Sequence, residues 1–166
     1  NLYKSEQVNA DRRLMVDHNS FNNPALWSKL AVFNQTPEED FSDLTYFLNL
    51  VHQAQSSEED FARLKRIARF QDWARFSAYQ TLTQDWANDR RHNLRIVIDP
   101  WRGTAQPIVH DGHSFLRTYH HLDKELNVDT HGLLALYNVS SEFLLEKYQI
   151  LFSFIKDEII PEYRRR

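Results

Sequence analysis

The chain has 166 residues, 42% of them hydrophobic, which suits a single domain with a sizeable core. A formal charge of −3 and a pI near 6.2 leave no general electrostatic drive towards nucleic acid or anionic membrane, because neutralising phosphates takes a basic surface. Cysteine is absent, so disulfides and thiolate metal sites are excluded and any metal must rest on oxygen or imidazole; no apolar run approaches the roughly 18 residues that cross a bilayer.

Glycine occurs three times and helix punctuation is frequent, which predicts a mainly helical chain. Asn23-Pro24 predicts a helix start, with Leu26, Trp27, Leu30, Ala31 and Phe33 behind it. Thr36-Pro37-Glu38-Glu39 has the cap, proline and returning glutamate of a second start, followed by Leu44, Phe47, Leu48 and Val51. Ser56 to Glu59 repeats the capping box ahead of Phe61, Leu64, Ile67 and Ala68. From Gln71, the spacing of Trp73, Phe76, Tyr79 and Leu82 predicts a further helix, ending near the acidic loop Asp85 to Asp89.

Leu94, Ile96 and Ile98 then alternate with polar or smaller neighbours and predict a strand. The turn Asp99-Pro100-Trp101-Arg102-Gly103 returns it to Ile108 and Val109. Short helices are expected at Ser114 to Leu122 and Leu133 to Tyr137. A long one is expected from Ser141 to Ile159, turning Phe143, Leu144, Leu151, Phe152, Ile155 and Ile159 inward before Pro161. Trp73, Trp86 and Trp101 read as core or lid packing. The fold expected is therefore mainly α with one short β-hairpin, in a single domain spanning 1–166.

The stretch richest in chemistry is QDWANDRRHNLRIVIDPWRGTAQPIVHD, from Gln84 to Asp111. A loop, a hairpin and a second acid-bearing segment follow one another, an order that brings Asp89, Asn93 and Asp111 to one end of the hairpin. Phosphoryl transfer needs such a set, one group to orient a hydroxyl and two oxygen ligands for a hard cation. The competing reading is structural: Asp and Asn side chains bond their own loop backbone, and Asp111-Gly112 is an ordinary turn pair.

The order of helix, loop with Asn88-Asp89 and His92-Asn93, hairpin, and Val109-His110-Asp111 resembles the C-terminal lobe of CotH-type atypical protein kinases, over roughly Ala68 to Gly112. The resemblance implies a kinase-like helical C-lobe using ATP with magnesium or manganese. It makes Asp89 the catalytic base, Asn93 an auxiliary metal ligand and Asp111 the principal one, with a protein or other hydroxyl as phospho-acceptor. His110 stands where an aromatic residue is more usual. The family's smaller N-terminal lobe, with the lysine that grips the nucleotide, is expected upstream of Asn1 and packed on this one, so the chain reads as part of a longer two-lobe protein. Two other classes stay open. One is a non-catalytic helical interaction module or pseudokinase lobe. The other is a metallohydrolase built from His110, Asp111, His113, His120 and His121.

Overall fold

The structure, a computed structural model, describes residues 1–5, 19–32, 37–83, 93–110 and 131–156, apart from the side chain of Ile155. Strand β1 (Leu2–Ser5) comes first, then a single 3-10 turn (Pro24–Leu26) that leads straight into β2 (Trp27–Ala31). Helices α1 (Ser42–Gln53), α2 (Glu58–Ile67) and α3 (Phe70–Thr83) follow, then β3 (Arg95–Asp99), β4 (Thr104–Ile108), α4 (Gly132–Tyr137) and α5 (Ser141–Lys156). The four strands form one antiparallel sheet in the order β2-β1-β3-β4. Helix dominates the described residues, as expected, but the sheet is larger than the single hairpin the sequence predicts. β1 lies between β2 and β3, so the β3–β4 hairpin is half of a continuous sheet.

Asn23-Pro24 does start a helical turn. The Asn23 side chain accepts from the Ala25 amide at 3.0 Å and Pro24 sits at the first position. The helix predicted beyond it does not form, because Trp27 turns to extended backbone (φ −114, ψ 138) and pairs with Ser5. Its indole anchors to the Ser20 carbonyl at 2.7 Å. Lys29 lies opposite Tyr3, with its ammonium 5.7 Å from that ring and bonded to the carbonyls of Pro37 and Asp40.

The second predicted start also moves. Thr36 lies outside the described residues, Pro37 to Asp40 form a turn, and α1 begins at Ser42, whose amide donates to the Asp40 carboxylate at 2.9 Å. Hydrogen bonds from Ser42 hold that carboxyl below its usual range. Asp43, in the first turn of α1, accepts from Tyr3 Oη at 2.5 Å and ties the helix to β1. Burial and this bond push the Tyr3 hydroxyl pKa upward. In α2 the cap is Ser57 rather than Ser56: its hydroxyl accepts from the Asp60 amide at 3.2 Å.

Trp73, the bulkiest of the fully buried side chains, joins the helical layer to the sheet. Its indole N–H donates to the Ala105 carbonyl of β4 at 3.0 Å, and its rings pack on Phe47, Phe76 and His131. A second cluster forms around Tyr137, which donates to the Ala68 carbonyl at 2.5 Å and packs against Phe61, Phe70 and Phe143. Phe143 and Leu151 of α5 face inward and Leu144 is half-buried, but Phe152, expected in the core, is 64% exposed. Trp101, at the hairpin turn, is exposed as well, while Trp86 and the predicted 114–122 helix lie outside the described residues.

Candidate functional site

The hairpin has two chemically different ends. At its closed end the Asp99 carboxylate accepts from the amides of Trp101 (2.9 Å) and Arg102 (3.2 Å), and Gly103 takes the left-handed φ of +60 that completes the turn. That accounts for Asp99 structurally. The open end is where the sequence puts its candidate residues.

Pairing runs from Asp99↔Thr104 to Arg95↔Ile108, so Asn93 and His110 stand at the same open end, each two residues outside the last strand pair. Asn93 adopts φ +62, alone among the described non-glycine residues in the left-handed region. Asparagine tolerates that conformation because its short polar side chain can bond locally. The backbone there is held by Ser5: the Asn93 amide donates to the Ser5 carbonyl (3.0 Å), the Ser5 amide to the Leu94 carbonyl (2.9 Å), and the Leu94 amide to the Ser5 hydroxyl (3.0 Å). Strand β1 thus fixes the point at which the chain enters β3. Asn93 is half-buried, and its amide oxygen is a suitable hard ligand.

Of the three candidate residues the structure describes Asn93; Asp89 and Asp111 lie outside the described residues, as do His113, His120 and His121. Asp111 follows His110 directly in the chain, and Asp89 precedes Asn93 by four residues. Among the described residues, no three His, Asp or Glu side chains converge to hold a metal.

Burial alternates along the sheet. Tyr3, Ser5, Leu94, Ile96 and Ile98 face the core, whereas Lys4, Arg95 and Val97 lie on the other face, half-buried. Lys4 is paired directly with Arg95, so two cationic side chains stand side by side near the open end. Like charges in that relation weaken a strand pair in isolation, and Lys4 is engaged in a further interaction. A small cleft of about 260 Å³ adjoins the exit of β4, between Pro107 and Val109 on one side and Asp72, Arg75 and Phe76 of α3 on the other. Asp72 is already engaged there by Arg69 at 2.8 Å and by the Gln106 amide at 3.3 Å.

Helix α3 is buried almost all round. Its last turns carry Ser77, Gln80, Thr81 and Thr83, all buried and leading into the Asp85 to Asp89 segment. Thr81 and Thr83 donate back to the carbonyls of Ser77 and Tyr79, which satisfies their hydroxyls within the helix. Lys147 of α5, the helix that packs along α3, is fully buried and engaged in an interaction. The sequence reading missed this lysine. The signal was present, since Lys147 lies four residues from both Phe143 and Leu151 and so shares their inward face.

A further groove, of about 570 Å³, lies between the α1–α2 and α4–α5 turns, lined by Ser57, Phe61, Val139 and Ser140 among others, and shares no residue with the hairpin. In comparisons with known proteins, no family model matches the chain, and neither a curated protein nor a solved structure matches it at a significant level.

Proposed function

We propose that this chain is the catalytic lobe of a CotH-like, ATP-dependent phosphotransferase, with the metal–nucleotide complex at the open end of the β3–β4 hairpin. In this reading Asn93 and Asp111 supply oxygen ligands to magnesium or manganese, while Asp89 orients the acceptor hydroxyl and takes its proton late. The observation that supports the reading is the strand register, which sets Asn93 and His110, the latter adjacent in sequence to Asp111, at one end of the hairpin. Arg95 nearby supports it, because its half-buried side chain has an Nε without a hydrogen-bond partner among the described residues and a polyphosphate brings several negative charges together. The acceptor would be a hydroxyl on a protein or another molecule.

A second reading is favoured by the Ser5–Asn93 hydrogen bonding, which gives Asn93 a sufficient structural role in a non-catalytic module. Substitution separates the two, since glycine keeps the left-handed backbone and removes the side-chain carboxamide that would ligate a metal. The polypeptide translated from the full reading frame is incubated with ATP and magnesium or manganese, and its intact mass is measured together with its metal-dependent ATP affinity. The proposal expects added phosphate masses that disappear in Asp89→Ala and Asp111→Ala, and ATP binding weakened about tenfold or more in Asn93→Gly, the order of one lost charge-assisted contact. If ATP binding is absent, or is equal in wild type, Asp111→Ala and Asn93→Gly, the non-catalytic module is the correct reading.

A further inference from the structure

The cleft beside the exit of β4 carries a chemistry that the hairpin end does not use. The described residues that line it divide into an apolar wall, Phe76, Pro107 and Val109, and a polar one, Asp72, Arg75 and Gln106. It faces solvent, since Val109 is 45% exposed and Arg75 is exposed. Its charges do not cancel. Arg69 holds Asp72 through contacts of 3.0 and 2.8 Å, and the Gln106 amide donates to it at 3.3 Å, all at the same carboxylate oxygen. Arg75, three residues further along α3, makes no hydrogen bond or ion pair among the described residues. Two guanidinium groups therefore stand to one carboxylate, and the cleft keeps one uncompensated positive charge. Gln106 spends its N–H on Asp72 and keeps its carbonyl oxygen as an acceptor.

Size, charge and the sheet edge select the occupant. A volume of about 260 Å³ falls below the roughly 300–1,000 Å³ that encloses a drug-sized ligand and suits one or two side chains. An uncompensated cation beside an apolar wall matches a carboxylate next to an apolar group. A partner cannot simply add a strand to β4. Ile98 exchanges both its backbone hydrogen bonds with Asn1, so Ala105, opposite Ile98, turns outward, and its carbonyl already accepts the Trp73 indole. Pro107, two residues on, turns the same way and has no N–H to offer. Recognition here must run through side chains. We propose that this cleft docks an extended peptide segment in which an apolar residue adjoins an acidic one. The apolar side chain rests on Phe76, Pro107 and Val109, the carboxylate meets Arg75, and the Gln106 carbonyl oxygen accepts a peptide N–H. The site includes neither Asn93 nor His110 and stands whether or not the hairpin end binds nucleotide.

The test follows backbone amide resonances of the isotope-labelled chain as the capped peptide acetyl-Ala-Ala-Leu-Glu-Ala-Ala-amide is added. One leucine moved out of water and one rim ion pair predict a Kd on the order of 1 mM, with saturable shifts at Phe76, Gln106 and Val109. Replacing the peptide leucine by alanine should raise Kd about tenfold or more. Replacing its glutamate by glutamine should raise Kd about threefold, and so should Arg75→Gln, an exposed change expected to leave the far-ultraviolet circular dichroism unaltered. Because both remove the same ion pair, the two changes together should cost no more than either alone. The absence of saturable shifts at these three residues up to about 10 mM peptide overturns the proposal. So does binding there that is indifferent to the peptide glutamate, or a pair of penalties that multiply when combined.

Discussion

Replacing Trp73 with phenylalanine should be among the more costly single changes in this fold. The indole N–H donates to the Ala105 carbonyl across the junction of α3 and β4, and the residue is fully buried. Loss of that bond costs about 1 kcal/mol net, and more if the carbonyl finds no new donor. The smaller ring leaves a void of roughly 40 Å³, worth about 1 kcal/mol at some 24 cal/mol per Å³, plus a similar transfer loss for the removed atoms. The sum is about 3 kcal/mol, equivalent to a fall in Tm of roughly 6–12 °C for a chain of this size. Urea unfolding followed by far-ultraviolet circular dichroism, with the m-value unchanged, measures it directly. Trp101→Phe serves as the control: at 76% exposure it should stay within about 0.5 kcal/mol of wild type. A Trp73→Phe loss below about 1 kcal/mol would refute the reasoning that this one side chain couples the helices to the sheet.

Ser57→Ala should destabilise the chain by about 1 kcal/mol through the lost α2 cap, whereas Ser56→Ala should be near neutral; equal effects in urea titrations would contradict the cap assignment. His131 is fully buried, stacks on Phe21 at 4.8 Å, and accepts the Leu134 amide through Nδ1, and burial pushes its pKa down to about 3. Because this lies below the unfolded value of about 6.5, the unfolded chain takes up a proton there that the native chain refuses, and stability must fall as pH drops from 6.5 towards 3. The slope from this residue approaches about 1.4 kcal/mol per pH unit. His131→Asn keeps a capping acceptor without the titration, so its pH–stability curve should be flatter by that amount over the same window; parallel curves would show that His131 does not titrate as inferred.

The parts of the fold legible in the sequence are those in which local pattern and tertiary demand agree. Leu94, Ile96 and Ile98 alternate because one sheet face is buried, and Asp99 with Gly103 closes the hairpin by chemistry that is local to the turn. Where they disagree, the sequence misleads. Asn23-Pro24 is a real start signal, but the helix ends after one turn because Trp27 and Lys29 do better against β1, and four-residue β1 is too short to announce itself. Ser56 and Ser57 are equivalent by composition, and only backbone geometry chooses between them. Phe152 lies on a helix with a genuine apolar face, but that helix has a second apolar stripe, so periodicity alone could not say which side packs. At the candidate site, where Asp89 and Asp111 lie outside the described residues, the position of Asn93 at the open end of the hairpin was legible from the order of segments. The clamp that Ser5 places on Asn93 was not, because the two are 88 residues apart in sequence and meet only when β1 enters the sheet.

The most direct measurement is paramagnetic broadening of backbone amide resonances as manganese and ATP are titrated into the protein. If the open end of the hairpin holds the metal–nucleotide complex, the Asn93, Leu94 and His110 signals should broaden first. Trp101 and Arg102, about 20 Å away along strands that rise about 3.3 Å per residue, should remain sharp at the same addition. Broadening that requires ATP and is lost in Asp111→Ala would establish the site. Broadening centred elsewhere, or independent of nucleotide, would contradict the account.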